Sequence, residues 1–548
     1  MNKFFKYMMA VTLFAASAAL VSCTNDLDVK SIDPNVTTND GITPEQLFTK
    51  CYACIGVAGN GGANGDSDVD GIDGGTSGYV RQIWNANELT SDEAICGWGD
   101  DGISQFDFNS YDATHPMLRG LYYRLYTSIV FCNTYLDQFE SYDSYMTAEV
   151  RFIRALDYYY LLDMWGNVPF VTTVTTEKPQ QYSRSDLFNW LETELTAIKP
   201  SLMAPRVVKN GDEGYGRIDQ DAANLLLARL YLNAEVYTGT ARWAQAEEYA
   251  GYVINGVHKL ATTGYDRADL STGVAYTYTP YQRLFMGDND SYSEITQEAI
   301  FPILQDGIRT TSWGTTLFMI ASTFDTNMHE DPFNTEATNG TTEHWGGNRT
   351  RPDLIDKFFS SEDCPQGLSG YETAQVAEDD RALFNTAGDR TYENVTYSTF
   401  THGYAVAKYT NFKVNGSAGS SSQFPDGDFF FMRSAEAYLT YAEAAYRLGD
   451  TEGAKTMVNQ IRSRAHAKTV TTLDLDDILD EWAREFYFEG RRRSDLIRFG
   501  YYGGNSSYVW QWKGGTYAGR NFESFRNIFA IPSQDLNVNE NLTQNPGY

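Results

Sequence analysis

Residues 480–500 read DEWAREFYFEGRRRSDLIRFG, and few other stretches limit the fold of this chain so strongly. Leu479, Trp482, Phe486, Gly490, Arg493 and Ile497 recur at steps of three and four, which predicts an amphipathic helix with one mostly apolar stripe. Gly490 falls on that stripe. A glycine inside a helix costs about 1 kcal/mol relative to alanine, so its presence implies a second backbone packed close by. Glu489 stands four residues before Arg493, with Arg491, Arg492 and Asp495 beside them, so carboxylates of the protein itself can hold the arginines. A nucleic-acid patch is the other reading of such a run, and the charge balance argues against it. With 72 acidic and 42 basic residues the formal charge is -30, a field that repels phosphate backbones and anionic lipid.

At the N-terminus Lys3 and Lys6 precede an apolar run over residues 11–21, too short for a membrane span and laid out like a secretory signal. It ends Leu20-Val21-Ser22-Cys23, similar to a bacterial lipobox. This predicts a signal peptide over residues 1–22 and a lipid anchor on Cys23; ordinary cleavage beside an incidental cysteine is the alternative. Residues 23–40, with Pro34 and little periodicity, read as an extended tether. Five further cysteines, an odd number, imply no disulfide framework. Cys51 and Cys54 have redox spacing, but they lie on one face of a helical pattern opened by Thr43-Pro44-Glu45, where core packing is expected.

Residues 59–78 are rich in glycine and aspartate and predict a long loop, of the kind that often carries function. Asp66, Asp68, Asp70 and Asp73 superficially echo a calcium loop, without the glutamate that an EF-hand requires. Arg81 and Trp84 follow, then Asn87-Glu88-Leu89 and a second glycine-rich loop displaying Trp98, Asp100 and Asp101. Gly97 and Gly99 leave Trp98 little local sequence to bury it. Tryptophan beside aspartates and an arginine is the composition of a sugar site: a flat apolar face for a pyranose and charged groups for its hydroxyls.

From Met117 to His258 the 3.6-residue period dominates. DQDAANLLLARLYLNAEVYTG pairs with ARWAQAEEYAGYVING, and far downstream FMRSAEAYLTYAEAAYRLGD pairs with TEGAKTMVNQIRSRA. The two hairpins share the small-residue spacing of tetratricopeptide repeats (Ala228, Ala246; Ala442, Ala444, Ala454). The expected fold is mostly α: a tetratricopeptide-like helical scaffold with large loop-rich insertions.

On these segments, together with RFIRALDYYYLLDMWGNVPF, the arginine-rich helix and the ending IFAIPSQDLNVNENLTQNPGY, the chain resembles the SusD/RagB-like outer-membrane nutrient-binding lipoproteins. NELTSDE and WKGG (512–515) make it most similar to their starch-binding branch. The resemblance implies one globular domain over residues 41–548, its helical N-terminal part running to about 260 and a loop-rich and helical C-terminal part from 261. It implies a non-catalytic, lipid-anchored protein of the cell surface that captures starch or another α-glucan and delivers it to a TonB-dependent transporter. By position, Trp98 and Trp345 match two tryptophans of an aromatic arc, Trp313 stands where that branch has a tyrosine, and Asp73 and Arg81 match polar contacts. Cys96 replaces an aromatic, and Asp101 replaces an asparagine that donates to the sugar; an ionised Asp101 can only accept. Each tryptophan could instead anchor its own loop. The main alternative ligand is a β-glucan such as a mixed-linkage chain.

Asp288-Asn289-Asp290 and Asp426-Gly427-Asp428 offer hard oxygen ligands on loops, which match calcium-binding positions of the starch-binding branch. A structural calcium ion is one expectation there, solvated loops the other. No catalytic cofactor is expected. The six histidines form no HxH or HExxH cluster, and neither a GxSxG elbow nor a phosphate loop occurs. A glycoside hydrolase and a repeat scaffold for protein partners are the rival classes.

Overall fold

The computed structural model describes residues 41–361, 363–504 and 507–548; the expected signal peptide, tether and lipid anchor on Cys23 lie outside the described residues. Residues Phe48–Tyr548 form one compact unit.

Helices dominate, each started by the chemistry its sequence supplies. Asp143 accepts from Tyr145 and Met146 N–H to open Ser144–Met164; Asp219 does the same for Gln220–Leu232, and Asp450 for Thr451–Arg464. Pro116–Phe139 packs on Ser144–Met164, which packs on Arg184–Ile198. Gln220–Leu232 packs on Trp243–Asn255, and that helix packs directly on Ala435–Leu448, although residues 256–434 intervene. The small residues explain the join: Ala228, Ala246, Ala442, Ala444 and Ala454 are fully buried, letting helix backbones approach closely. The two expected hairpins thus form one continuous stack. Cys51 and Cys54 are buried free thiols, the Cys54 Sγ lying 3.2 Å from Ser128 Oγ, as the core reading required.

Residues 256–434 fold around short antiparallel ribbons. Tyr265–Asp269 pairs with Val274–Tyr278, and Ala299–Ile303 with Phe429–Arg433 across a register irregularity. Ala94–Cys96 pairs with Asn348–Thr350, which ties the insertion to the N-terminal half.

The arginine-rich segment differs from its expectation. It is two helices, Leu475–Phe486 and Arg492–Arg498, separated by a turn in which Phe488 (φ 62) and Gly490 (φ 80) adopt left-handed backbone. Periodicity continues across the break because the turn keeps the same side inward. Gly490 does meet a second backbone: a Cβ there would lie 3.5 Å from Trp84 Cα. NELTSDE grips this turn. Asn87 Nδ2 donates to Gly490 O (2.9 Å), Glu88 Oε1 accepts from Gly490 and Arg491 N–H (2.6 and 2.9 Å), and Asp92 pairs with Arg492 at 2.7 Å. Glu489 does not pair with Arg493; it holds Lys408 (2.7 Å) and Arg433 (2.8 Å).

Around the break the carboxylates and arginines form a buried lattice. Glu485 binds Arg433 (2.5 Å) and Arg464, Glu481 binds Arg381 and Arg462 (both 2.7 Å), and Asp495 binds Arg491 (3.0 Å) and Arg498 (2.8 Å). Burial opposes ionisation of each carboxyl, yet the arginines outweigh it and lower Glu481, Glu485 and Asp495 to about 2. Their ordinary values lie near 4, so this stabilisation is complete above the unfolded-state pKa and is lost as pH falls from about 4.5 towards 2. Glu485→Gln strips one side of three buried pairs, with Arg381, Arg433 and Arg464. It is expected to lower stability by about 3–5 kcal/mol in urea unfolding at pH 7 and to flatten the acid limb of the stability curve; an unchanged midpoint would show that the lattice is not what holds the break.

Candidate functional site

The site is built where two glycine-rich loops meet the Ala94–Cys96 and Asn348–Thr350 ribbon. Trp98 lies just beyond one strand and Trp345 just before the other, so the strand pairing places both indoles on the same rim. Gly97 N–H donates to Gly347 O (3.1 Å), continuing the ladder. A Cβ on Gly347 would fall 2.2 Å from the Trp98 ring, so only glycine lets the indole lie flat on the opposing backbone. Trp313 is set by the glycine–aspartate tract. A Cβ on Gly75 would come within 2.6 Å of Trp313 Cβ, and Arg81 N–H donates to Gly314 O at 3.0 Å.

The three half-buried indoles stand in sequence. Trp98 and Trp345 have ring centroids 6.4 Å apart with planes at 56°; Trp345 and Trp313 are 6.2 Å apart at 41°. With Asp73, Gly75, Thr76, Arg81 and Asp100 they line a cavity of about 460 Å³. Phe318 supports Trp98 edge-on from the core, and Phe424 supports Trp313. Arg81, 8% exposed, lies over the Trp98 and Phe318 rings at 5.4 and 5.1 Å, and among the described residues its side chain makes no ion pair or hydrogen bond. Burial lowers its pKa, partly offset by the charges of Asp100 and Asp73. The guanidinium therefore faces the cavity with donors to offer. Asp73 Oδ1 accepts from Thr76 N–H (2.9 Å) and pins the turn that brings both residues to the lining.

Trp98, Trp313, Trp345, Asp73 and Arg81 are thus brought together. Asp101 is not: it lies exposed on the turn after Asp100, and Asp100 lines the cavity in its place. Cys96 does not reach the cavity either; it is buried within the ribbon, where burial raises its thiol pKa. Gly75, Thr76, Phe318 and Phe424 were not legible as site residues. Only the Asp73-Gly74-Gly75-Thr76 turn chemistry hinted at two of them.

The acidic clusters lie apart from this cavity. Asp288, Asp290, Asp426 and Asp428 are all buried rather than on solvated loops, and each is engaged by protein donors. Asp288 accepts from Val414 N–H (3.1 Å), Asp290 from Asn210 (2.5 Å) and Ser291 (2.8 Å), and Asp428 from Gln305 N–H (2.7 Å) and Tyr215 (2.6 Å). Asp426 pairs with Lys413 at 2.7 Å. Among the described residues no group of three or more His, Cys, Asp or Glu side chains is placed to hold a metal ion. In the glycine–aspartate tract Asp68 pairs with Lys50 (2.7 Å) and Arg124 (3.5 Å).

Gly347→Ala is the sharpest test of this geometry. The added methyl displaces the Trp98 indole, so tryptophan emission shifts while overpacking costs about 1–3 kcal/mol in chemical unfolding; an unaltered spectrum would mean that the indole does not lie on Gly347.

Comparison with known proteins follows the same lines. Residues 334–548 match the family model described as SusD family, and residues 79–232 the model described as "Starch-binding associating with outer membrane". The chain is 36% identical to the starch-binding protein SusD of Bacteroides thetaiotaomicron, over 100% of both chains. A SusD-like protein of Bacteroides fragilis shares the fold at 18% identity and a TM-score of 0.66, covering 95% of this chain and 100% of that one. The surface glycan-binding protein A of Bacteroides thetaiotaomicron, solved with laminarihexaose, does so at 19% identity and 0.61, covering 92% and 98%. No helix among the described residues is long and apolar enough to cross a membrane. With two family models matched in order and a full-length relative at this identity, the chain belongs to the SusD family.

Proposed function

We propose that this protein binds a curved glucan, an α-1,4-linked chain in the first place, without cleaving it. The observation that carries this reading is the turning of the three tryptophan planes by 56° and 41° around one cavity. Coplanar rings suit a flat β-1,4 ribbon, whereas a bending surface follows a chain that winds. Each indole offers an apolar face to a pyranose. Arg81, Asp73, Asp100 and Thr76 supply donors and acceptors to the hydroxyls along the rim. Full-length similarity to a starch-binding relative supports the α-linked choice. A β-1,3 glucan also winds, and two structural neighbours, one in complex with laminarihexaose and one described as laminarin-binding, support it as the second reading. At 19% identity they share the fold only.

Recognition by a preset aromatic surface works against the ordering of a flexible chain, so affinity is expected in the micromolar to millimolar range, roughly -4 to -8 kcal/mol. In the same proposal the bound glucan passes to a TonB-dependent outer-membrane transporter, and a lipid on Cys23 keeps the protein at the surface beside it.

Isothermal calorimetry against maltoheptaose, laminarihexaose and cellohexaose tests the reading. Maltoheptaose is expected to bind most tightly, Trp98→Ala to raise its Kd at least about tenfold, roughly 1.4 kcal/mol, and no reducing ends to appear on prolonged incubation. Preference for laminarihexaose would move the assignment to the β-1,3 chain; preference for cellohexaose, or binding indifferent to Trp98, would overturn it.

A further inference from the structure

Two of the three indole N–H groups are engaged within the protein. Trp98 Nε1 donates to Trp345 O (3.3 Å), and Trp345 Nε1 donates to Glu343 Oε2 (2.8 Å). The second bond is unusual in its backing. The other oxygen of Glu343 accepts from Gln423 Nε2 (2.8 Å), Asn339 Nδ2 donates to Glu343 O (2.9 Å), and Thr342 N–H donates to Ser422 O (2.8 Å). The residue after Gln423 is Phe424, whose ring meets Trp313 edge-on at 5.0 Å. One loop therefore acts on two of the three rings, gripping the middle one, Trp345, through Glu343 and buttressing Trp313 through Phe424. Its base is held by Asp426, which accepts from Ser420 N–H (2.9 Å) and pairs with Lys413, while Asp426 N–H donates to Asn411 Oδ1 (2.9 Å).

We infer that Glu343 is the positioning residue that fixes the Trp345 ring plane, and thereby sets the preference of this surface for a curved over a flat glucan. The inference rests on the glucan-binding reading above. Glu343 need not touch the sugar. An indole free to rotate about its χ2 bond samples coplanar arrangements with Trp98 and Trp313, whereas one tied by a hydrogen bond whose acceptor is itself fixed by a neighbouring amide keeps the angle. Pre-organisation of this kind raises affinity for the matching shape by removing an ordering cost, and it leaves a mismatched shape without gain.

The test compares Glu343→Ala and Glu343→Gln with the unaltered protein, reading maltoheptaose and cellohexaose affinities by calorimetry and the Trp345 indole N–H resonance by NMR. The alanine variant is expected to weaken maltoheptaose about five- to tenfold, below the full worth of a hydrogen bond to a charged group because only the ordering of the ring is lost, to narrow the ratio between the two glucans, and to move the Trp345 indole signal towards the solvent-exposed position. The glutamine variant keeps its amide oxygen for the indole once the Gln423 amide turns to accept from the new NH2, and stays within about twofold of the original. An unchanged affinity ratio in the alanine variant overturns the inference, and so does a glutamine variant as impaired as alanine, since that would make charge rather than orientation responsible. Trp98→Ala run alongside separates the two levels. If it binds maltoheptaose as the parent does, the glucan-binding reading itself fails, whatever Glu343 does.

Discussion

The fold depends on a lattice of buried arginine–carboxylate pairs centred on the break between Leu475–Phe486 and Arg492–Arg498. Glu485, Glu481 and Glu489 receive arginines or lysine from segments far apart in sequence: Arg381 and Lys408 from the insertion, Arg433 from a strand, Arg464 from the last repeat hairpin. Isolated buried pairs add little stability beyond what apolar packing would give, because desolvation offsets the attraction. Their value here is registry. A guanidinium that must find particular carboxylates in a dry interior tolerates few alternative packings, and every misplacement leaves a charge unpaired. The lattice also resolves an oddity of composition, for a chain of formal charge -30 keeps many of its cations inside.

That registry reaches the candidate site through two short connections. NELTSDE wraps the turn at Gly490 on one side and runs into the Ala94–Cys96 strand on the other. Phe429–Arg433 carries Arg433 into the lattice, and it follows directly on the loop that holds Gln423, Phe424 and Asp426. Ring orientation at the surface is thus continuous with charge pairing in the core. Two acidic residues belong to this bracing: Asp426 and Asp428 pin the loop behind the tryptophans by accepting hydrogen bonds.

Several features were readable from local chemistry. Helix positions followed the 3.6-residue period and the Asp caps. Buried alanines marked the repeat hairpins, and tryptophans flanked by glycines marked a surface that local sequence could not cover. Other features failed for an equally physical reason. A left-handed turn of a few residues does not disturb hydrophobic periodicity, so the break at Gly490 looked like helix. Neighbouring aspartates in GWGDDG are equivalent in composition, and only the turn decides that Asp100 rather than Asp101 faces the cavity. The burial of Asp288, Asp290, Asp426 and Asp428, read as loop residues, follows from donors such as Val414 N–H, Asn210 and Gln305 N–H that arrive from elsewhere in the chain.

The sequence by itself determined the helical scaffold, the excess of acid that repels phosphate backbones, and the inventory of aromatic and polar groups from which the site is made, because these follow from residue type and short-range spacing. Tertiary structure alone decided the 56° and 41° turns between ring planes, the partner of each indole N–H and the burial of Arg81. Those quantities depend on contacts between residues up to about 250 positions apart, such as Trp98 with Trp345, 247 residues along the chain. Nothing in the local sequence of either partner encodes the angle at which they meet.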